Sequence, residues 1–181
     1  MDVLTAIGLA LPAGLNAYIP LLGLSLAQTF GVVELSEPWS ALGEWWAIAL
    51  ISVLLLVELF ADKVPAVDHV NDVLQSFVRP AAGAVVAVAA SGQAGENYPL
   101  VMIALGILLA GGVHAAKATA RPVVNATTGG AGAPVASFLE DAAAVATTAF
   151  AIFLPTMVLA LVVLFAWIWY RFYRKRRARA A

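Results

Sequence analysis

From Ala142 to Tyr170 no side chain carries a charge. A helix needs about 20 consecutive apolar residues to cross the roughly 30 Å hydrocarbon core of a bilayer. This stretch exceeds that length, so it must be enclosed by protein or sit in lipid. Two more runs, WWAIALISVLLLVELF and PLVMIALGILLAGGVHAAKA, argue against enclosure in a chain of 181 residues. A domain that small leaves a large share of its surface outside. Composition agrees, with 62% hydrophobic and 12% charged residues, where soluble domains have about 45–50% and about 25%. In lipid each backbone polar group must be satisfied within its own segment, which favours helices. The expected fold class is therefore an all-α integral membrane protein with four to six membrane-embedded helical segments.

The first apolar segment, about Val3 to Val33, is interrupted by LPAGLNAYIP, with Pro12, Gly14, Asn16 and Pro20. Proline removes a helical N–H and clashes with the preceding turn, so this helix is expected to be broken. MDVLTAIGLALPAG lacks the basic start of a signal peptide and is expected to be retained. Cysteine is absent, which excludes disulfides, thiol catalysis and cysteine-ligated metal. Residues 1–170 read as one transmembrane helical domain and 171–181 as a basic tail. Trp167, Trp169 and Tyr170 precede six of the ten Lys and Arg residues, the pattern of a cytoplasmic membrane interface.

The loops VELSEPWSALGEWW and SGQAGENYP lack Lys and Arg, and both are expected outside. A simple count of crossings then puts the basic tail on the wrong side. Two repairs are open. In one, residues 66–92 form a re-entrant hairpin and the Gly-rich 119–138 segment dips in from the opposite face. In the other, both segments cross, the second as irregular backbone. Residues 66–78 have amphipathic helical spacing, and AAGAVVAVAASG alone is too short to cross. ARPVVNATTGGAGAPVASF reads as too irregular for a stable helix. An apolar helix, then ADK or AAK, an Arg-Pro step and small residues occur twice, at Lys63–Ala90 and Lys117–Ala136. That is a weak internal repeat, expected as an inverted repeat with two interrupted segments.

Ionisable groups gather in two places. Glu58 with Asp62, and Asp68 with Asp72, are i,i+4 carboxylate pairs on one helix face. They suit cation or proton handling, or an interfacial face meeting water. His114, Lys117 and Arg121 form a cationic stripe at a helix end. It reads as snorkelling residues that neutralise the helix C-terminus, or with Arg79 as a fork for phosphate or carboxylate. Glu140 and Asp141 open the last helix, as favourable acids there or as counter-ions to Lys117, Arg121 or Arg79. Glu58 and Lys63 also suit a local pair. Asn16, with Tyr18, reads as ligand contact or interhelical glue. TTGGAGAP lacks the Gly-Lys-Ser/Thr ending of a phosphate-binding P-loop. The basic tail suits anionic lipid better than nucleic acid.

GLNAYIPLL, ADKVPAVDHVNDVLQSFVRPAAG, HAAKATARPVVNATTG and SFLEDAAA together resemble a bacterial family of small integral membrane proteins defined as a domain of unknown function. The resemblance runs from about residue 5 to 165. It implies a multi-pass protein of the bacterial inner membrane and no established activity. Its polar motif residues fall at Asn16, Asp62, Lys63, Asp68, Arg79, His114, Lys117, Arg121, Asn125, Glu140 and Asp141.

The reading expected to hold is a small transporter or flippase-like protein for an anionic small molecule or phosphate-bearing lipid. Arg79, Arg121, Lys117, Asn16 and Asn125 are its expected substrate contacts. Asp62, Lys63, Asp68, Asp72, His114, Glu140 and Asp141 are its expected coupling or counter-ion groups. No catalytic residue, cofactor or nucleic-acid partner is expected, and no metal is assigned. Membrane lipids and a second copy of the chain are the expected partners, and the C-terminus is expected in the cytoplasm. An intramembrane lipid-headgroup enzyme stands as the alternative, with Glu58, Asp68 and Asp72 around a metal or His69 and His114 as base. A non-catalytic assembly subunit is the third reading.

Overall fold

The computed structural model describes residues 1–61, 65–129, 132–155, 163, 164, 167 and 171, with side chains at all of these except 65–72 and 125. Every regular element among them is helical: α1 Val3–Ala13, α2 Tyr18–Thr29, a 3₁₀ turn at Trp39–Gly43, α3 Trp45–Ala61, α4 Pro65–Ala90, α5 Gln93–Asn97, α6 Pro99–Thr128 and α7 Ala133–Phe153. Part of α4 (Val73–Ala90), α6 and α7 are long and apolar enough to cross a membrane.

The surface is oily and the interior holds the charges. Leu50, Val57 and Phe60 on α3, Leu100 and Leu108 on α6, and Phe153 on α7 are exposed. Glu58, Arg79, His114, Lys117 and Arg121 are buried. Water would drive the reverse arrangement, whereas in hydrocarbon a charge is driven inward to find partners. The chain is an all-α integral membrane protein.

The first helix is broken where expected, and its two halves return on themselves. The start of α1 lies against the α4–α5 turn, where a Cβ on Gly92 would meet the Met1 carbonyl at 2.5 Å. The far end of α2 lies beside the start of α3, where Thr29 Oγ1 donates to the Gly43 carbonyl at 2.8 Å. Ser36 Oγ hydrogen-bonds Glu96, so both loops that lack Lys and Arg sit at this same end. We call it the Trp45 end. The 11 and 12 residues of the two arms are each about 16–18 Å long, roughly half the bilayer core. At the turn, Asn16 Oδ1 accepts from the backbone N–H of Tyr18 at 3.1 Å and of Ile19 at 3.2 Å, capping α2. Gly14 is required there, because a Cβ would strike Val113 Cβ at 2.6 Å.

The α1 arm packs among α4, α6 and α7, with Thr5, Ala6, Gly8, Leu9, Ala10, Pro12 and Ala13 buried and Leu4, Ile7 and Leu11 half-buried along one face. Its start is capped by Asp2, whose carboxylate accepts from Thr5 N and Thr5 Oγ1, both at 2.9 Å. The Thr5 backbone N–H is the main reason this carboxyl titrates below its ordinary value. Asp2→Ala is expected to cost about 1 kcal/mol, the usual worth of such a cap. A lowered folded-state pKa means the contribution is complete above about pH 4 and fades as pH falls through the lowered value. Melting curves of both proteins in detergent should differ at pH 7 and converge in acid.

Two expectations about helix continuity change. Residues 66–92 do not form a hairpin, because α4 runs unbroken through Pro80 to Ala90. Residues 119–128 are not irregular, because α6 continues through Pro122 to Thr128. Helix resumes at Ala133. Backbone groups left unpaired in hydrocarbon cost several kcal/mol each, so helix persists past a proline that would end it in water. Both Arg-Pro steps therefore lie inside helices. These helices run antiparallel, with Gly83 of α4 against Gly106 of α6 and Pro80 facing Gly111.

Candidate functional site: a buried polar layer at the hairpin apex

Four helices bring polar groups to one depth. Counted from the Trp45 end, Glu58 lies 13 residues along α3, Arg79 lies 11 back from Ala90, and His114 lies 15 along α6. At 1.5 Å per residue these are roughly 17–23 Å deep. The apex of the α1–α2 hairpin reaches the same level.

The first cluster joins α3, α4 and α6. Arg79 is fully enclosed, and its Nη2 donates to Glu58 Oε1 at 3.0 Å. Its Nη1 lies 3.0 Å from His114 Nδ1. A guanidinium has only donors, so His114 Nδ1 accepts and the ring proton sits on Nε2. Nε2 then donates to Ser76 Oγ at 3.0 Å. A proton on Nδ1 would remove the acceptor Arg79 uses, so the chain Glu58–Arg79–His114–Ser76 has one protonation pattern. Tyr18 of α2 sits beside Gln75, within the field of Glu58 and Arg79.

The second cluster joins α6, α7 and the apex. Lys117, one helical turn past His114 on α6, pairs with Glu140 Oε2 at 2.8 Å. Its Nζ also donates to the Leu15 carbonyl at 3.3 Å. That carbonyl belongs to the hairpin turn, where the chain is not helical. Asn16 Nδ2 donates to Asp141 Oδ1 at 3.0 Å. Arg121, a further turn along α6, is also buried.

His114, Lys117 and Arg121, the stripe expected at the end of α6, are all buried rather than directed at headgroups. Glu140 is the counter-ion of Lys117, and Asp141 holds Asn16. Asp62 and Lys63 lie outside the described residues, as do the side chains of Asp68, His69, Asp72 and Asn125. Among the described residues no three His, Asp or Glu side chains gather as a metal site.

Sequence reasoning did not pair Glu58 with Arg79, and it missed Ser76 and the Leu15 carbonyl. One signal for Glu58 was present: it is the one charged side chain in α3, at a depth where a charge needs a partner. Nothing in a linear sequence marks a backbone carbonyl as a lysine acceptor.

Two cavities open beside this layer. One, of about 460 Å³, is lined by α2, α3 and α7 residues that include Gly23, Phe30, Thr148 and Phe153. The other, of about 450 Å³, is lined by residues including Leu59, Phe138 and Asp141. Ile19, Leu55 and Val145 line both.

No curated protein and no solved structure matches the chain. A family model described as a domain of unknown function, DUF4126, matches residues 3–175. With nearly its whole length matched, the chain belongs to the DUF4126 family.

Proposed function

We propose that this protein is a small transporter or flippase-like protein for a phosphate-bearing lipid or small anion, in a bacterial inner membrane with its basic tail in the cytoplasm. The observation that carries the reading is Lys117 at the hairpin apex. A buried ammonium there meets both a carboxylate and a non-helical backbone carbonyl. Irregular backbone at membrane depth is tolerated where it lines a cavity or is buried in protein, and interrupted helices that meet near the midplane are a recurring transporter device. On this reading the α1–α2 hairpin is re-entrant. Lys117, Arg79 and Arg121 attract the anionic group, while Glu58, Glu140 and Asp141 keep the cations compensated when it is absent. His114 takes up the coupled proton only when its Nδ1 releases Arg79.

The Glu58–Arg79 and Lys117–Glu140 pairs also suit the third reading, an assembly subunit whose ion pairs serve as interhelical glue. Transport separates the two. Vesicles of phosphatidylcholine and phosphatidylglycerol carrying the protein are loaded with a headgroup-labelled phosphatidylglycerol or with radiolabelled phosphate. Wild-type protein should speed equilibration of one of them. A charge-assisted hydrogen bond is worth about 1.5–3 kcal/mol, so Lys117→Met should slow it by about 10- to 150-fold. Glu140 is only partly buried, so the variant should still fold. Wild-type vesicles no faster than protein-free ones for both probes would rule the transport reading out.

A further inference from the structure

We infer that Gln75 is a specificity-determining residue of the anion site: with Arg79 it selects a phosphate that keeps one hydroxyl on phosphorus, inorganic phosphate or a monoester, over a phosphodiester. The inference rests on the transport reading, in which Arg79 meets the anion, and narrows its substrate class.

Three observations carry it. First, Arg79 has one nitrogen left over. Its Nη2 is taken by Glu58 and its Nη1 by His114. Its Nε is buried and has no hydrogen-bond partner among the described residues. Guanidinium nitrogens only donate, so this N–H calls for an acceptor. Second, Gln75 lies one helical turn before Arg79, so the two share a face of α4. Gln75 is 3% exposed, and its Oε1 also lacks a partner among the described residues. An amide oxygen only accepts, so it calls for a donor. Third, Tyr18 borders both groups. It hydrogen-bonds Gln75 and lies in the field of Glu58 and Arg79. Half-buried at the hairpin apex, it links this corner to the surface.

A guest that satisfies both orphaned atoms presents an acceptor and a donor side by side. A phosphate bearing one P–OH does so. Its ionised oxygen accepts from Arg79 Nε, a charge-assisted bond, and its hydroxyl donates to Gln75 Oε1. A phosphodiester has acceptors alone and leaves the Gln75 oxygen facing another oxygen. A fully ionised monoester has the same defect and a second charge. Glu58, 3.0 Å from Arg79, already balances the guanidinium, so this corner favours one negative charge on the guest over two. The other titratable groups around Arg79 are His114 on α6 and Tyr18 on α2, and α1, also packed on α4, has none.

The test is calorimetric binding of methyl phosphate and dimethyl phosphate to the full chain in detergent at about pH 5.5. A phosphate monoester loses its last proton near pH 6, so methyl phosphate carries a P–OH there. Dimethyl phosphate carries none at any pH. Methyl phosphate should bind at least about tenfold more tightly. It should weaken by about tenfold or more at about pH 7.5, while dimethyl phosphate stays unchanged. Gln75→Met should bring the two ligands together by weakening methyl phosphate, and Gln75→Leu replaces it should methionine perturb folding. Tyr18→Phe removes the hydroxyl beside Gln75 and keeps the amide oxygen, so the preference should survive it. Phosphatidate against phosphatidylmethanol in nanodiscs, read by native mass spectrometry, repeats the comparison on lipid. Preference in this pair assigns a lipid headgroup, and preference in the soluble pair alone assigns free phosphate. Equal binding within both pairs, no binding at all, or a preference that Gln75→Met and Gln75→Leu keep would overturn the inference. Transport is read separately. If labelled phosphate or lipid moves and the esters are not discriminated, the selection fails while the transport reading stands. If they are discriminated and nothing moves, the site stands and the transport reading fails.

Discussion

Glu58→Leu is expected to cost the folded protein about 3–5 kcal/mol, the usual penalty for leaving one member of a buried ion pair without the other. Arg79 has no exposed surface, and the carboxylate 3.0 Å away belongs to a different helix. With typical stabilities of about 5–15 kcal/mol, that loss alone depletes much of the folded population. The variant should give a smaller monodisperse peak in detergent and melt well below wild type. Glu58→Leu combined with Arg79→Met tests the cause. Removing both charges and keeping the volume is often neutral or stabilising by about 1–4 kcal/mol. The double variant should therefore recover the fold, and its transport activity then tells what the pair is for. A folded, inactive double variant assigns Arg79 to the transported group. A folded, fully active one makes the Glu58–Arg79 pair interhelical glue. If Glu58→Leu melts like wild type, the ion pair is not a determinant of the fold.

What could be read from the sequence depended on the range of the interaction. The break in the first helix was legible because its cause is local: Pro12, Gly14, Asn16 and Pro20 lie within one short stretch. The stripe on α6 was legible because His114, Lys117 and Arg121 recur at helical spacing after an apolar run, but its burial was not, since the same spacing serves residues that reach headgroups. Glu140 as a counter-ion followed from the cost of an unpaired charge in lipid. The return of α2 alongside α1 was not legible, since a broken helix that crosses and one that turns back have the same sequence signature. Prolines 80 and 122 misled in the other direction. Breaker rules come from chains in water, where a freed carbonyl finds a solvent partner, and in hydrocarbon the helix is kept. The two cavities were invisible because their walls join α7 to α2 and α3, which lie far from it in the chain. The family match names the chain's relatives and leaves the chemistry of the layer to be established from its geometry.

The second large effect lies at the α4–α6 crossing, where two helices meet backbone to backbone. A Cβ on Gly106 would lie 2.6 Å from the Gly83 carbonyl carbon and 2.8 Å from Ala84 Cα. A Cβ on Gly83 would lie 2.6 Å from the Gly106 carbonyl oxygen and also meet Ala110 Cβ. These neighbours are backbone or fixed to it, so relief requires the helices to separate. Close approach through small residues is the main source of helix association in lipid, where no hydrophobic force drives it. This crossing also sets the register that places Arg79 against His114. Gly106→Leu is therefore expected to exceed the usual overpacking cost of about 1–3 kcal/mol and to disrupt the polar layer with it. Gly112, a turn and a half along the same helix, is open: a methyl group added there would meet nothing within 4 Å. Gly112→Ala should stabilise by about 0.5–1 kcal/mol through helix propensity alone. Melting temperatures of the two variants should move in opposite directions from wild type. Equal tolerance at both positions would show that α4 and α6 do not meet at Gly83 and Gly106, and the placement of Arg79 beside His114 would fall with that contact.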